Sequence, residues 1–338
     1  MRFESVNIAR VDHVDAPVRV TSRELEERMA DTLRRLKLPL GMLESLTGIV
    51  ARRVWEEGQQ PSDAATLAAH KVIGKSGVDP ARIGALISTS VCRDFIEPSV
   101  ACLVHARLGL SPGCVNFDLA NACLGFLNGM EMVGNMIERG QIEYGLVVDG
   151  ESSRFVVDST IERLNAAPTT HDDYRRNVAT LTLGSGAAAM LLCRADLAPE
   201  AHRFVGGVTL AATEHNDLCR GQVDGMETNT KGLLDAGVAL AGRTFALGKR
   251  ELGWSSGELA ELVLHQVSKT HTEKLAGALE LDLDKVLRTY PEFGNVGPAA
   301  VPIALSKASE AGRLSKGSRV SLMGIGSGLN CYMAEVVW

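Results

Sequence analysis

The sequence predicts an α/β fold with two similar halves, and two observations support this prediction. Short β-rich runs alternate along the chain with helical stretches, which is typical of layered α/β proteins. A helix–turn–strand pattern also occurs twice, at residues 136–150 and again at residues 308–326. We therefore expect two βα units related by an approximate twofold, with small-residue helices after Cys123 and Asn295 buried between two sheets.

The first half is expected to span residues 1–195. Its expected elements, in chain order, are a strand at 1–19, a helix at 21–38 capped by Thr21 and Ser22, a helix at 62–76 capped by Ser62 and Asp63, a strand at 83–91, a polar loop at 92–99, a helix at 100–108, and a strand–turn–helix–strand unit at 116–150. The more polar residues 151–176 are predicted to form a capping excursion outside the sheet, with one short helix near 159–165.

The second half is expected to span residues 196–338. Two strands at 177–193, joined through Gly184–Gly186, lead into it. Its expected elements are a strand at 204–212, an irregular segment at 216–224, a helix at 228–252, a strand at 260–267, a helix at 270–279, a short strand at 285–289, a turn at 293–298, a helix at 299–311, and strands at 319–324 and 331–337.

Composition excludes several classes of protein. Of the 338 residues, 45% are hydrophobic, the net charge is −6 and no basic run occurs, so nucleic acid is an unexpected partner. The longest apolar runs are too short to span a bilayer, and the first residues lack the pattern of a secretory signal. Seven cysteines without CxxC pairs indicate reduced thiols, a cytoplasmic location and no zinc site.

Cys123 is the first candidate catalytic residue. It lies where a buried strand gives way to an amphipathic helix, among small residues such as Ala120 and Gly125. Unpaired N–H groups and the positive end of the helix dipole favour an anion at such a position, so we expect the thiol to ionise easily and to act as a nucleophile. The competing interpretation is a small buried apolar residue, which is the commoner role of a cysteine.

Two more candidates come from the second half. His265 follows an apolar strand at the edge where α/β proteins form their sites, and a neutral imidazole there could donate to a developing oxyanion. Asn295 lies at the turn that corresponds to Cys123 in the repeat, and its amide could supply a second donor to an enolate oxygen. The simpler alternatives are a structural histidine and ordinary Gly-Asn turn chemistry.

Two loops complete the candidate site. Glu97 lies in the polar loop after the strand at 83–91 and could serve as a base, although most loop carboxylates are merely solvated. Residues 324–330 (GIGSGLN) lead into a strand rather than a helix, which excludes a dinucleotide-binding loop. We expect this loop to pass near the Cys123 sulfur and to offer an N–H group around Ser327.

Three separated motifs resemble those of the thiolase superfamily, and the ketoacyl synthase III type is the closest branch. They are DLANACLGF around Cys123, HQVS at His265 and FGNVGPAAVP at Asn295, and the terminal GIGSGLN loop also fits. Leu46 and Ser185 depart from the pattern of the chain-initiating fatty acid synthase. The segments SVCRDFIEPS, TEHNDLCRG and GSGLNCYMAEVVW are instead similar to the head-to-head acyl-CoA condensing enzymes of long-chain olefin biosynthesis.

The resemblance implies a five-layered αβαβα thiolase fold and a non-decarboxylative Claisen condensation of two fatty acyl-CoAs to a 2-alkyl-3-oxo acid. Cys123 would hold the first acyl group, and His265 and Asn295 would bind the enolate oxygen. Glu97 would enter the site of the neighbouring subunit of a homodimer as the base. No cofactor is implied beyond the coenzyme A of the substrates, and enzymes that act later in the olefin pathway are possible partners.

Three other functions stay open at the level of sequence. A decarboxylating ketoacyl synthase III would use a malonyl thioester and would not need Glu97. A non-catalytic acyl-binding protein could use the same fold. A thiol hydrolase could let water intercept the acyl-cysteine. Acyl chain length and the residues that contact coenzyme A do not follow from the sequence.

Overall fold

The computed structural model describes residues 1–166, 168–255 and 257–338. Its strands are β1 (Val6–Asp15), β2 (Val18–Thr21), β3 (Ala51–Val54), β4 (Ile83–Ser88), β5 (Val115–Asp118), β6 (Tyr144–Glu151), β7 (Gly186–Arg194), β8 (His202–Ala211), β9 (Cys219–Gln222), β10 (Gly225–Thr228), β11 (Leu259–Leu264), β12 (Arg319–Gly326) and β13 (Asn330–Val337). Its α-helices are α1 (Ser22–Glu27), α2 (Ala30–Arg35), α3 (Met42–Thr47), α4 (Pro61–Ser76), α5 (Val100–Leu108), α6 (Gly125–Glu138), α7 (Arg154–Asn165), α8 (His171–Asn177), α9 (Thr230–Leu252), α10 (Lys269–Leu279), α11 (Tyr290–Phe293) and α12 (Ala300–Glu310).

The main sheet shows the expected duplication. Its strand order is β11-β12-β13-β8-β1-β7-β6-β4-β5. In the first half β4 runs parallel to β6, which is followed by antiparallel β7 and β1. In the second half β11 runs parallel to β12, which is followed by antiparallel β13 and β8. The two halves of the sheet join where Asn7 and Ile8 of β1 pair with Arg203 and His202 of β8, and a bridge between Arg2 and Gly206 extends this short junction.

The helices and the two halves of the sheet form five layers. The central layer contains α6 and α12, which share one buried apolar cluster with strands of both halves. The helices α4 and α5 cover the outer face of the first-half strands. The helix α9 covers the outer face of the second-half strands, together with α10. The predicted αβαβα arrangement, with the two repeated helices buried between sheets, is thus confirmed.

Small residues permit the close packing of these layers. Four alanines of α4 lie on one stripe of the helix and are fully buried against the sheet: Ala64, Ala65, Ala68 and Ala69. A Cβ atom at Gly150 of β6 would lie 2.2 Å from the Pro61 carbonyl oxygen, so only glycine lets α4 approach this strand. Part of the site described below lies at the end of β6, and this packing therefore fixes the position of that strand end.

The segment after β6 differs in detail from the prediction. Residues 151–176 contain α7 and most of α8 rather than one short helix. Their buried side chains form a separate apolar cluster with the early helices α1, α2 and α3. The boundary between the two halves near residue 195 stays an inference from the repeat.

Three predicted elements near the second half are wrong. Only the second of the two strands expected at 177–193 exists, because residues 180–182 turn into a 3-10 helix in which the Thr182 hydroxyl donates to the Ala179 carbonyl at 2.6 Å. The segment 216–224, expected to be irregular, contains β9, which pairs with β10 in a hairpin. Residues 285–289 form no strand, because side chains take up backbone donors there: the Thr289 N–H donates to Gln266 at 2.8 Å.

Two helices also differ from the prediction. The predicted single helix at 21–38 is interrupted after Glu27 and continues as α2. The N-cap of α4 is Gln60 rather than Ser62, because Pro61 occupies the first helical position, and the Gln60 N–H donates to Asp63 at 2.9 Å. No helix in the described part of the chain is long and apolar enough to cross a membrane.

Candidate active site

Cys123 lies in a tight turn between β5 and α6. The preceding residue, Ala122, has a φ of +44°, a backbone conformation that residues other than glycine rarely adopt. The turn is closed by hydrogen bonds from the Leu124 N–H to the Asn121 carbonyl at 2.9 Å and from the Gly125 N–H to the Ala122 carbonyl at 3.1 Å. The sequence correctly predicted the strand–turn–helix setting, and the strained backbone is typical of a functional turn.

The predicted easy ionisation of the Cys123 thiol is wrong. Burial raises the pKa of Cys123 to about 12, and the nearby carboxylate of Glu151 adds to the effect. The rise from 9.0 to about 12 corresponds to about 4 kcal/mol, at 1.36 kcal/mol for each unit of pKa. A helix N-terminus typically contributes only about 0.3–1 kcal/mol. Desolvation therefore outweighs the dipole, and Cys123 rests as a neutral thiol.

His265 immediately follows β11, and its residue surface is only 3% exposed. Its backbone N–H donates to the Met323 carbonyl of β12 at 2.7 Å, which continues the parallel pairing of the two strands. Burial lowers the pKa of His265 to about 3, and the neighbouring His271 acts in the same direction. Its Nδ1 atom has no partner among the described residues. The imidazole is therefore neutral at physiological pH, as the sequence predicted, and keeps an unused ring nitrogen.

Asn295 lies in the turn that leads into α12, the repeat counterpart of the turn before α6. Its backbone is held on both sides: its N–H donates to the Thr182 carbonyl at 2.9 Å, and its carbonyl accepts from the Gly184 N–H at 2.9 Å. The side-chain Oδ1 accepts from the Gly297 N–H at 3.0 Å. Because the oxygen is occupied in this way, the amide nitrogen is the atom available to donate to a ligand.

The glycine-rich loop passes over the Cys123 turn, as expected. A Cβ atom at Gly326 would lie 3.1 Å from the Asn121 carbonyl oxygen and 3.4 Å from the Leu124 nitrogen. The Asn330 side chain also reaches toward the Asn121 side chain, at 3.4 Å between Nδ2 and Oδ1. Ser327 follows Gly326 directly, so the backbone of this hairpin lies next to the nucleophile turn. The role of the Ser327 N–H as an oxyanion donor stays a prediction.

Glu97 is not brought into the site of its own chain. The residue is exposed and makes none of the hydrogen bonds found among the described residues. Its neighbours Phe95 and Ile96 are also exposed, at 57% and 93%. The loop tip therefore presents a carboxylate and two large apolar side chains to the outside of the subunit. The expected desolvated base does not exist within one chain at this position.

Sequence reasoning missed a buried carboxyl pair at the end of β6. Asp149 and Glu151 are two positions apart in the strand, so their side chains point to the same face. Burial raises the pKa of Glu151 to about 7, and hydrogen bonds from Cys92 and Val91 oppose this rise. Burial also raises the pKa of Asp149, and repulsion from Glu151 is a second, smaller cause of this rise. The Thr89 hydroxyl donates to Asp149 at 2.6 Å. Two acidic residues directly after an apolar run in VVDGE are a signal that could have revealed the pair.

The structure thus joins several motifs around one buried region. The charges of Asp149 and Glu151 act on the Cys123 thiol. The Glu151 carboxyl lies against the turn that presents Asn295, because a Cβ atom at Gly297 would be 3.6 Å from its Cδ atom. Within the described residues, no group of three histidine, cysteine or acidic side chains is arranged to hold a metal ion.

Comparison with known proteins places the chain in a family. The 3-oxoacyl-[acyl-carrier-protein] synthase III family matches residues 117–211, and the C-terminal part of that family matches residues 250–338. The acyl-CoA:acyl-CoA alkyltransferase of Xanthomonas campestris pv. campestris is 50% identical over 338 residues, which is all of both chains. The protein of the same name from Shewanella oneidensis is 38% identical, again over 100% of both chains. A β-ketoacyl-[acyl-carrier-protein] synthase III of Neisseria meningitidis is 26% identical over 83% of this chain and 85% of its own length.

Solved structures agree with this placement. Cerulenin-bound OleA from Xanthomonas campestris superposes with a TM-score of 0.98 at 50% identity, over 100% of this chain and 98% of that one. A cysteine-to-serine variant of OleA with bound lauric acid and lauroyl-CoA gives a TM-score of 0.97 at 49% identity, over 99% of this chain and 100% of that one.

The duplicated five-layer fold, with a cysteine at the start of one central helix and an asparagine before the other, defines a condensing enzyme of the thiolase superfamily. Within that class, the ketoacyl synthase III type is the distant relation and the alkyltransferases are the near one. The chain belongs to the acyl-CoA:acyl-CoA alkyltransferase family and is an acyltransferase.

Proposed function

We propose that this enzyme condenses two fatty acyl-CoAs head to head, without loss of carbon dioxide, to a 2-alkyl-3-oxo acid for hydrocarbon synthesis. The observation that carries the proposal is the 50% identity, over the full length of both chains, with an acyl-CoA:acyl-CoA alkyltransferase. Bound lauroyl-CoA in the related OleA structure supports a fatty acyl-CoA as the substrate. We assign Cys123, His265, Asn295 and Glu97 as its catalytic residues.

The first step loads an acyl group onto Cys123. The sulfur attacks the carbonyl carbon of an acyl-CoA, the bond from that carbon to the coenzyme A sulfur breaks, and the thiol proton leaves with coenzyme A. Because burial keeps Cys123 neutral, this proton is still present when the substrate arrives. Backbone N–H groups of the Cys123 turn and of the loop at Ser327 stabilise the negative oxygen of the tetrahedral intermediate.

The second step forms the carbon–carbon bond. Glu97 removes a proton from the α-carbon of a second acyl-CoA, and neutral His265 and the Asn295 amide donate to the enolate oxygen. The α-carbon attacks the Cys123 thioester, and the sulfur leaves and regains a proton. Water then cleaves the remaining coenzyme A ester. A neutral imidazole suits this task because its N–H group can donate a hydrogen bond to the enolate oxygen while Glu97 acts as the base.

A homodimer would place Glu97 where it is needed. The tip of its loop is exposed together with Phe95 and Ile96, and large apolar side chains at a loop tip are typical of a surface that becomes covered. We infer that this loop enters the partner subunit, where burial would supply the desolvation that a carbon-acid base requires. A cytoplasmic location, hydrocarbon-pathway enzymes as partners and no cofactor besides the substrate's coenzyme A complete the proposal.

The reaction is tested by offering lauroyl-CoA alone, without a malonyl donor, and measuring free coenzyme A and condensed product by mass spectrometry. We expect product from lauroyl-CoA alone. A requirement for malonyl thioester would instead identify a decarboxylating synthase; the family match and the 26% identical relative both carry the name synthase III. Release of coenzyme A with free lauric acid as the sole product would indicate a hydrolase.

A further inference from the structure

The loop that carries Glu97 is fastened at both ends by carboxylates. At its start, the Val91 N–H donates to Glu151 Oε1 at 2.6 Å, and the Cys92 N–H lies 3.4 Å from Oε2. Just beyond its end, the N–H groups of Val100 and Ala101 donate to Asp118 at 3.1 and 2.8 Å. Between these attachments Asp94 is held as well, because it accepts from the Ser62 N–H at 3.0 Å. The exposed tip therefore takes its position from the two ends of the loop and from Asp94.

The carboxylate at the start of the loop also contacts a catalytic turn. Gly297 has a φ of +54°, a Cβ atom built on it would lie 3.6 Å from the Glu151 Cδ atom, and its N–H donates to Asn295 Oδ1 at 3.0 Å. The backbone of Glu151 is fixed as well, because the Trp55 indole N–H donates to its carbonyl at 2.9 Å. One side chain thus binds the start of the Glu97 loop and lies beside the turn that presents Asn295.

We propose that Glu151 is a positioning residue whose carboxylate joins the start of the Glu97 loop to the Asn295 turn. It holds the start of the loop at a fixed place relative to the catalytic turn of its own subunit, and together with the attachments at Asp94 and Asp118 it sets where Glu97 leaves the subunit. This inference rests on the proposed function, since Glu97 and Asn295 act in its condensation step. Glu151 itself contacts no reacting atom.

The ionisation of Glu151 makes this role observable. Its pKa is about 7, so the strength of its two hydrogen bonds changes near neutral pH. The titratable groups that face it are Asp149 on the same strand, the Cys92 thiol on the loop and the Cys123 thiol before α6. Loss of the proton from Glu151 strengthens its hold on the loop, and protonation weakens it.

The chain offers a matched control for the test. Glu138, at the far end of α6, also accepts two consecutive backbone N–H groups, from Glu4 at 3.0 Å and Ser5 at 2.9 Å. It is exposed and lies about 20 Å from the Cys123 turn, since α6 has 14 residues at about 1.5 Å each. Glu138→Gln therefore removes a similar carboxylate clamp without touching the site.

The experiment compares Glu151→Gln with Glu138→Gln and wild type in two activities, both with lauroyl-CoA. One is the single-turnover transfer of lauroyl to Cys123, followed by intact mass, and the other is the formation of condensed product. For Glu151→Gln we expect condensation to fall about ten- to hundredfold, the size of a lost hydrogen bond to a charged group, with acyl transfer nearly unchanged. Glu138→Gln should match wild type in both.

The pH dependence separates positioning from a general loss of structure. In wild type and Glu138→Gln, the ratio of condensation to acyl transfer should fall as the pH drops through about 7. In Glu151→Gln the ratio should be low at every pH and lack this step. A parallel loss of both activities, or a pH step that survives in Glu151→Gln, would overturn the proposal.

Hydrogen exchange gives a readout that does not need the reaction. Exchange of peptides that cover residues 89–99 should be faster in Glu151→Gln by about tenfold and unchanged in Glu138→Gln. If wild type forms no condensed product, the proposed function fails, and faster exchange still shows the clamp. If wild type condenses lauroyl-CoA but exchange and condensation are both normal in Glu151→Gln, the positioning role alone is wrong.

Discussion

The equivalent strands β4 and β11 have nearly the same pattern of burial, yet the chain behaves differently after each. After β11 the chain turns inward at once, and His265 is 3% exposed. After β4 an eleven-residue loop (89–99) turns outward and exposes Ile96 at 93%. The strands are held alike by burial between helices, whereas the loops at their ends are free to differ. One half of the duplicated scaffold therefore buries an imidazole, and the other exposes a carboxylate on the outside of its own subunit.

The sharpest test of this contrast is Glu97→Ala. Condensation should fall about 10²–10⁴-fold because a general base is lost. Transfer of lauroyl to Cys123 should not change, since this step needs no α-proton abstraction. Condensed product and acyl-enzyme are measured separately, with Glu97→Gln as the isosteric companion. Unchanged condensation would remove Glu97 from the mechanism and leave the outward loop without a chemical role.

The inward residue is tested by His265→Ala. Loss of one preorganised donor to an oxyanion typically costs about 10²–10³-fold in rate, and we expect a decrease of that size in condensation. His70→Ala, at an exposed histidine of α4, is the control and should behave as wild type. Steady-state condensation rates for the three proteins decide the matter. A decrease of less than about threefold would mean that the buried imidazole is structural.

The smallest expected effect concerns stability in acid. Because burial lowers the pKa of His265 from 6.5 to about 3, the unfolded chain binds a proton that the folded chain does not. The stability that His265 contributes to the folded state is fully present above pH 6.5 and is lost progressively as the pH falls from 6.5 toward 3. Between about pH 7.5 and about pH 5 it amounts to about 2 kcal/mol. Urea unfolding at both pH values should show a smaller acid loss in His265→Asn than in wild type; equal losses would contradict the buried, neutral state.

The sequence was most informative where a residue's role depends on its immediate neighbours. The turn at Cys123 could be predicted because a strand, a run of small residues and an amphipathic helix follow one another directly. The 23-residue α9 was predicted to within two residues for the same reason. The repeat predicted the pairing of Cys123 with Asn295. The predicted strand at 285–289 failed because its backbone donors are taken by Gln266, about twenty residues earlier, and such long-range competition leaves no local pattern.

Electrostatic properties were the least predictable. The ionisation of Cys123 was expected from the local helix, but it is set by burial and by acidic groups on β6, a strand that lies beyond α6 in the chain. Glu97 was expected to act as a desolvated base in a partner subunit, and in its own chain it is exposed, so its own loop supplies no burial. The importance of Glu151 could not be predicted from the sequence, because its neighbours come from the loop after β4 and from the turn before α12.

The sequence by itself therefore determined the α/β class, the duplicated architecture and the candidate nucleophile with its two companions. These features depend on periodicity and on order along the chain, which are visible in one dimension. Only the tertiary structure decided the neutral state of Cys123, the outward position of Glu97 and the buried carboxyl pair of Asp149 and Glu151. Each of these depends on which distant groups exclude water from a side chain, and the polarity of its surroundings then sets its charge.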